Sequence, residues 1–247
     1  MMERHATQPV DSKVFAISGI DMRVEPGRHS FEIAEEAAIA ENWQRELAAN
    51  PALYNGEIVL QEEIKLHGGV VEARARMSNF ATLLWWRKQP QPTSGRMLVA
   101  SAVPISSDGA AIVIRMAPHT ANPGMVYFAA GSLDGSDLRL DGTVDVLGSM
   151  GRELLEETGL RVDDASADPV LYAVSAGARF YLFRFYRFPW TAAEMCRRVE
   201  AHMAVDPDPE INAVYPLTSA DLSLHRYDRL ARIILPFFFG DETNKAG

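Results

Sequence analysis

The stretch GRELLEETGL, at residues 151–160, decides how this chain is interpreted. Apolar side chains recur around it at helical spacing, which predicts a helix with one buried face. These apolar positions are Leu147, Met150, Leu154 and Leu155. Asp145 stands where an N-cap belongs, and Gly159 stands where a left-handed residue ends a helix. The pattern therefore predicts a helix over about residues 146–158.

Three carboxylates follow one another on this predicted helix. Glu153, Glu156 and Glu157 stand at i, i+3 and i+4, so we expect them to share one face. Two like charges about 5 Å apart repel by about 3 kcal/mol at an effective dielectric near 20. Arg152 lies one turn before Glu156 and neutralises only part of this repulsion. Two interpretations remain at this point: a solvated acidic face, or a site for a hard cation such as Mg²⁺, which prefers oxygen ligands.

The string RELLEETGL resembles the second half of the Nudix box, G-x5-E-x7-R-E-U-x-E-E-x-G-U, where U is aliphatic. The first half fits less closely. Val144 stands where the family has Glu. Gly131 followed by Asp137 resembles the opening G-x5-E, with Asp for Glu, and residues 138–143 then form an expanded loop. The acidic contact that the first Glu makes in other members is therefore in question.

The resemblance implies a fold, a reaction and a set of site residues. The fold is a Nudix α/β/α sandwich with a mixed sheet. The reaction is cleavage of the diphosphate bond of a nucleoside diphosphate linked to another moiety, with Mg²⁺ or Mn²⁺ as cofactor. The implied metal-binding residues are Glu153, Glu156, Glu157 and Gly131, and the implied catalytic residues are Glu153, Glu157 and Arg152. Arg152 is expected to orient Glu153 and Glu156, while Glu153, Glu157 or a loop carboxylate acts as the base.

The substrate-binding candidates lie in loops and short strands outside the helix. They are His119, Arg115, Tyr127 and Glu210. Tyr127 opens the run YFAAG, which resembles the aromatic residue and Pro-Gly-Gly-like segment before a Nudix box. Glu210 lies in a loop where family members carry a further carboxylate, and Asp208 is the alternative. If substrate binds tightly without metal, we expect an arginine-based pocket around Arg115, Arg179 or Arg184.

A second class of function remains open beside the enzyme. Nudix folds also serve as nucleotide-binding or regulatory modules without turnover, and Val144 in place of the family Glu favours that alternative. The complete set of Glu153, Glu156 and Glu157 favours the enzyme more strongly. Release of a mononucleotide that depends on Mg²⁺ distinguishes the two.

The chain divides by composition near the Pro-rich segment at residues 90–95. Residues 1–94 are predicted to form a small α+β extension that shapes the substrate site, with strands at 13–24, a helix at 31–50, a hairpin at 57–77 and a helix at 79–88. This extension is similar to one in a Nudix subgroup that includes UDP-sugar diphosphatases. Residues 95–240 form the predicted Nudix domain, in which Ser219 or Asp221 caps the last helix, and residues 241–247 a disordered tail.

Charge and composition restrict the partners. The 247 residues include 24 basic and 33 acidic side chains, a net charge of −9, which argues against a nucleic-acid polymer or an anionic membrane as partner. A small nucleotide-type substrate is compatible because bound Mg²⁺ reverses the local potential. Cys196 is the only cysteine, and neither an apolar signal segment nor an 18-residue apolar run is present. We expect a cytoplasmic protein, and a homodimer is left open.

Overall fold

The computed structural model describes residues 12–240, and its mixed α/β fold agrees with the prediction. The predicted tail at residues 241–247 lies outside the described residues. The strands are Val14–Ile17 (β1), Gly19–Val24 (β2), Glu57–His67 (β3), Val70–Asn79 (β4), Met97–Ile105 (β5), Ala111–Met116 (β6), Val126–Tyr127 (β7), Ser166–Ala167 (β8), Leu171–Ala176 (β9), Arg179–Arg187 (β10) and Ile211–Leu217 (β11). The α-helices are Ser30–Ala34 (α1), Glu36–Ala49 (α2), Phe80–Lys88 (α3), Val146–Thr158 (α4), Ala192–Val205 (α5) and Ala231–Gly240 (α6).

These elements form two compact units, each made of three segments. Within the described residues, the first unit comprises 12–100, 131–149 and 170–182, and the second comprises 101–130, 150–169 and 183–240. A division of the chain at residue 95 into an extension and a Nudix domain stays a prediction.

The first unit contains a three-stranded sheet with the order β2-β4-β3. Strand β2 runs parallel to β4, and β3 is antiparallel to β4, so the predicted hairpin at residues 57–77 is confirmed. Helices α2 and α3 contact each other, and Asn79 caps α3, because its Oδ1 accepts the N–H of Thr82 at 3.0 Å. The core of this unit consists of Phe31, Ile39, Ile58, Leu60, Ala81, Leu83 and Trp86. In the same unit, β1 pairs antiparallel with β9.

The second unit is organised around β6. Strand β11 pairs antiparallel with β6 along its length, and the short β7 pairs with β6 through Ile114↔Tyr127 and Arg115↔Val126. Alternating side chains place residues of β6 on two opposite faces. Phenylalanine rings fill part of the core, with Phe185 packed against Phe238 of α6 at a centroid distance of 5.1 Å.

The last helix begins later than the sequence indicated. Neither Ser219 nor Asp221 caps it, so that prediction is wrong. Asp221 instead closes a local turn with Ser223. Asp228 is the residue that caps α6, because its Oδ1 accepts the N–H of Ala231 at 2.7 Å. Among residues 12–240 no helix combines the length and the apolarity needed to cross a membrane.

Candidate active site

Helix α4 has the predicted bounds, and its predicted caps are confirmed. Asp145 Oδ1 accepts the backbone N–H of Gly148 at 3.0 Å, which is the bond of an N-cap to the third helical residue. Gly159 has φ of 71°, a left-handed value, and its N–H donates to the carbonyl of Leu155 at 2.8 Å. The local residues at both ends therefore determine where this helix starts and stops.

The buried face of α4 differs from the predicted one. Met150 and Leu154 are fully buried as expected, but Leu147 and Leu155 are each 38% exposed, so that part of the prediction is wrong. The buried face is turned about the axis, away from these leucines. Glu153 and Glu157 lie within it, and each is 9% exposed.

The three carboxylates consequently do not share one environment. Glu156 points to solvent, with a side chain that is 57% exposed. Arg152 Nη1 lies 2.8 Å from Glu153 Oε1 and 3.1 Å from Glu156 Oε2, so this arginine links the two carboxylates as the resemblance implied. Glu157 receives no such cation among the described residues.

The pKa of the Glu157 carboxyl is strongly shifted by its surroundings. Burial raises its pKa well above the ordinary value, and the charges of Glu153 and Glu210 raise it further. A hydrogen bond from the backbone N–H of Ala130 acts in the opposite direction. Its Oε2 is buried and has no hydrogen-bond partner. An acceptor oxygen without a donor is costly in a protein interior, and a bound cation or water would satisfy it.

Tyr127 lies beside these carboxylates on β7. Its side chain is buried, and burial raises the pKa of its hydroxyl above the ordinary range. The negative charge of Glu157 raises this pKa further, and the charges of Asp228 and Glu210 also contribute. The Asn122 side chain is hydrogen-bonded to this tyrosine.

Two loops bring further predicted residues to this end of the unit. The N–H of Ala117 donates to the carbonyl of Glu210 at 2.8 Å, which joins the loop after β6 to the loop before β11. His119 Nε2 lies 3.6 Å from Asp208 Oδ1 in the same pair of loops. His119 and Glu210 are both exposed.

Arg115 is not brought to the same side. It pairs with Val126, one residue before Tyr127, so its side chain lies on the opposite face of the sheet from that tyrosine. Its Nε donates to Asn212 Oδ1 at 2.7 Å, and its guanidinium lies 5.9 Å from the ring centroid of Tyr215. Arg115 therefore stays a prediction that this arrangement does not favour.

Asp228 is a site neighbour that sequence reasoning missed. Burial raises its pKa from 3.8 to about 6, although the backbone N–H groups of Ala231 and Leu230 act in the opposite direction. Its backbone N–H donates to the carbonyl of Val126 at 3.1 Å, which places it next to β7. An aspartate three residues before an apolar run is a recognisable N-cap pattern, so the cap could have been found from sequence. The proximity of Asp228 to Tyr127 could not have been found from sequence in this way.

His202 of α5 contacts the end of α4 and was also missed. Its Nε2 lies 2.9 Å from the carbonyl oxygen of Glu156. A Cβ on Gly159 would lie 2.8 Å from the Cγ of His202, so only glycine fits beneath this ring. The contact holds the last turn of α4, which carries Glu156 and Glu157.

The residues that resemble the first half of the box belong to the first unit, and there they have structural roles. Asp137 is buried, and its Oδ2 accepts the N–H of Asp134 in a capping box. Val144 is buried as well. The expanded loop between them is a closed turn, because Leu138 pairs with Val144 and the N–H of Arg139 donates to the carbonyl of Thr143 at 2.8 Å. Gly131 precedes this segment and directly follows Ala130 in the chain.

A preformed metal centre is not part of this geometry. Across residues 12–240 no three His, Cys, Asp or Glu side chains are grouped closely enough to hold a metal ion. The feature that fits a cation is the partnerless Oε2 of Glu157. Mg²⁺ is commonly bound through one or two carboxylates, waters and substrate phosphates, so a preformed cage is not required.

Comparisons with known proteins give a structural likeness only. No family model and no curated protein matches the sequence. Nudix hydrolases are among the solved structures that it resembles. RenU, a Nudix hydrolase of M. smegmatis, has a TM-score of 0.38 and 13% identity, over 56% of this chain and 82% of that chain. The C. elegans Ap4A hydrolase has a TM-score of 0.38 and 11% identity, over 56% and 94%.

A MutT protein of Methanosarcina mazei is similar at the same level. Its TM-score is 0.38 and its identity 13%, over 61% of this chain and 96% of that chain. At such scores the likeness is partial, and it carries neither an activity nor a substrate over to this chain.

Proposed function

We propose that this protein is a divalent-metal-dependent hydrolase that cleaves the diphosphate bond of a nucleoside diphosphate linked to another moiety. The observation that carries the proposal is the pair of buried carboxylates on α4. Glu157 and Glu153 lie on the buried face of the helix, and Glu157 Oε2 has no donor. A stable fold has no evident use for a buried carboxylate oxygen that lacks a donor beside a second buried carboxylate, whereas a cation site does.

The residues that would hold Mg²⁺ or Mn²⁺ are Glu153, Glu156 and Glu157, with Gly131 as a backbone ligand by resemblance. When bound, the metal neutralises the diphosphate and provides an activated water. The protein's own contribution is positioning. Arg152 holds Glu153 and Glu156 at hydrogen-bonding distance, and Ala130 donates to Glu157.

The substrate is expected to enter on the side of Tyr127. This tyrosine lies next to Glu157, and the loops that carry His119 and Glu210 are joined by the Ala117–Glu210 hydrogen bond. Glu153, Glu157 and Glu210 are the candidates for the base that takes the proton of the attacking water. Glu210 is exposed, whereas Glu157 is buried.

A panel of nucleoside diphosphate compounds tests this function. We expect Mg²⁺-dependent release of a mononucleotide, measured as phosphate after coupling to a phosphatase, with no release in excess chelator. The Glu157→Gln variant is the negative control, because it keeps the shape of the side chain and removes its charge. Release that is independent of metal, or unchanged in this variant, would contradict the proposal.

A second candidate is a nucleotide-binding module without turnover. The buried, apolar Val144 favours it, because this position offers no carboxylate where the family has Glu. Metal-dependent nucleotide binding with no hydrolysis of any panel compound supports this alternative. Cytoplasmic localisation, a homodimer and a substrate-shaping role of residues 1–94 stay predictions.

A further inference from the structure

Three arginines near the start of α6 have no charge partner in the part of the chain that the structure describes. Arg226, Arg229 and Arg232 are exposed, and no side-chain hydrogen bond, ion pair or ring contact involves them among residues 12–240. Every other arginine among residues 12–240 has such a contact. In a chain with 33 acidic side chains, three neighbouring cations without a carboxylate create a local positive potential.

The arginines that sequence suggested for a phosphate are engaged elsewhere. Arg184 Nε donates to the carbonyl of Asp168 at 2.6 Å. The Arg179 guanidinium lies 5.9 Å from the Trp86 ring centroid, and Arg115 is bonded to Asn212. An anion that approaches the carboxylates of α4 therefore needs a different arginine.

The backbone places Arg226 on the same side as Tyr127. Residues 226–228 run beside β7, since the N–H of Val126 donates to the carbonyl of Arg226 at 2.9 Å and Tyr227 pairs with Val126 in parallel. Side chains alternate along such a segment. Tyr227 is buried on one face with Val126, so Arg226 and Asp228 lie on the other face, which is that of Tyr127. The effect of Asp228 on the Tyr127 hydroxyl agrees with this placement.

The distance along the chain from β7 to Ala130 suits a diphosphate compound. Ala130, whose N–H contacts Glu157, stands four positions after Val126, which lies beside Arg226. At about 3.3 Å per residue this is at most about 13 Å of backbone. A molecule with a nucleoside, a diphosphate and a further moiety can span that range.

We propose that Arg226, with Arg229 next to it, binds phosphate oxygens of the substrate on the side away from the α4 carboxylates. The inference rests on the proposed function and adds a metal-independent contact to it. A guanidinium offers a planar pair of N–H donors that matches two phosphate oxygens, and no carboxylate competes for this one. The arginines would then bind one end of the anionic group, and the metal held by the acidic cluster would bind the other end.

The test measures binding of inorganic pyrophosphate and of ADP by calorimetry, in excess chelator and again with Mg²⁺. We compare wild type, Arg226→Gln, and the double variant Arg226→Gln/Arg229→Gln. Arg197→Gln is the matched control. Arg197 is an exposed arginine on α5 that is paired with Glu194, and its substitution removes the same charge as Arg226→Gln. We expect about tenfold weaker binding in Arg226→Gln, a larger loss in the double variant, and a smaller dependence on salt.

Equal affinities of Arg226→Gln and Arg197→Gln would overturn the inference, and so would a wild type that binds neither probe at millimolar concentration. Melting temperatures within experimental error of wild type show that the variants are folded. The readout does not involve turnover. If Arg226→Gln binds the probes more weakly but the wild type hydrolyses no compound, the phosphate site is supported and the proposed enzyme activity is not. If the wild type shows Mg²⁺-dependent hydrolysis but Arg226→Gln binds the probes as wild type does, the enzyme activity is supported and the phosphate site is not.

Discussion

The three-stranded sheet of the first unit and helix α4 both carry dense charge, and they stabilise it in opposite ways. On the open face of the sheet three carboxylates lie near basic side chains. Asp21 is 3.2 Å from Arg23, Glu63 is 2.8 Å from both Lys65 and Arg74, and Glu72 is 3.2 Å from His67. All of these residues except His67 also line a cleft of about 620 Å³.

On α4 the buried Glu157 has no cation partner among residues 12–240, whereas its neighbour Glu153 is paired with Arg152 at 2.8 Å. Glu157 has its pKa raised by burial and by the charges of Glu153 and Glu210, and its Oε2 lacks a donor. Charges that are exposed and paired are neutral to the stability of a fold, whereas a buried charge without a partner opposes it. The comparison supports the proposal that the α4 carboxylates serve to bind a cation, in contrast to the solvated face of the sheet.

The largest effect should come from Glu157→Gln. We expect hydrolysis to fall by at least about a hundredfold, because the metal loses a ligand and the substrate loses charge neutralisation. The metal-free variant should be as stable as wild type or more stable at neutral pH. Because the pKa of Glu157 is raised in the folded state, the folded state loses stability as pH rises from the ordinary pKa of a glutamate toward the raised pKa. Glutamine does not ionise and so avoids this loss.

Thermal melts with and without Mg²⁺ complete that measurement. Mg²⁺ should raise the melting temperature of the wild type and have little effect on the variant. A metal-free variant that melts well below wild type would show that Glu157 is a structural partner, and the contrast between helix and sheet would then fail.

Asp228→Asn should have the next largest effect, on stability alone. The folded carboxyl has a pKa of about 6 against an ordinary 3.8, so the folded state loses stability as pH rises through this window. Asparagine is an equally good N-cap. We expect the variant to be more stable than wild type by up to about 3 kcal/mol above pH 7, and equal to it near pH 4. Denaturant unfolding at both pH values measures this, and a less stable variant at pH 7.5 would contradict it.

Asp145→Ala should lower the stability of the protein by about 0.5–2 kcal/mol, because the N–H of Gly148 loses its acceptor. Mg²⁺ affinity should be nearly unchanged, since Asp145 also faces Arg139 at 2.7 Å and acts as a cap. A large loss of Mg²⁺ affinity at constant stability would instead make Asp145 a substitute for the missing family Glu.

The smallest effect is expected on the sheet. Glu63→Gln removes two exposed ion pairs, and such pairs contribute little because solvent and salt screen them. We expect the melting temperature to change by less than about 3 °C, and hydrolysis to be unaffected. A loss of activity comparable to that of Glu157→Gln would mean that the charged sheet face, too, has a function.

Local patterns determined what could be predicted from sequence. The bounds of α4 follow from Asp145 and Gly159, which act on their nearest neighbours. The hairpin of β3 and β4 and the cap at Asn79 are local in the same sense. Which side of α4 is buried depends on packing against distant segments, so Leu147 and Leu155 misled the interpretation.

The composition of the site depends on pairings between distant segments. Asp228 and Arg226 reach Tyr127 through the pairing of Tyr227 with Val126, about a hundred residues earlier in the chain. Helical periodicity and capping patterns contain no information about such a contact. The fold class, one helix and its carboxylates were therefore predictable, and their neighbours were not.

The closed turn at residues 138–144 allows the number of residues before α4 to change without a change in the position of the helix. Its two ends are bridged at Leu138 and Val144, and its tip is tied by the Arg139–Thr143 hydrogen bond. Residues added or removed at the exposed Leu140 would lengthen or shorten the tip without displacing Asp145 and the first turn of the helix. A sequence pattern with fixed spacing no longer matches a chain that has extra residues in this turn, although the backbone on either side of the turn is unchanged.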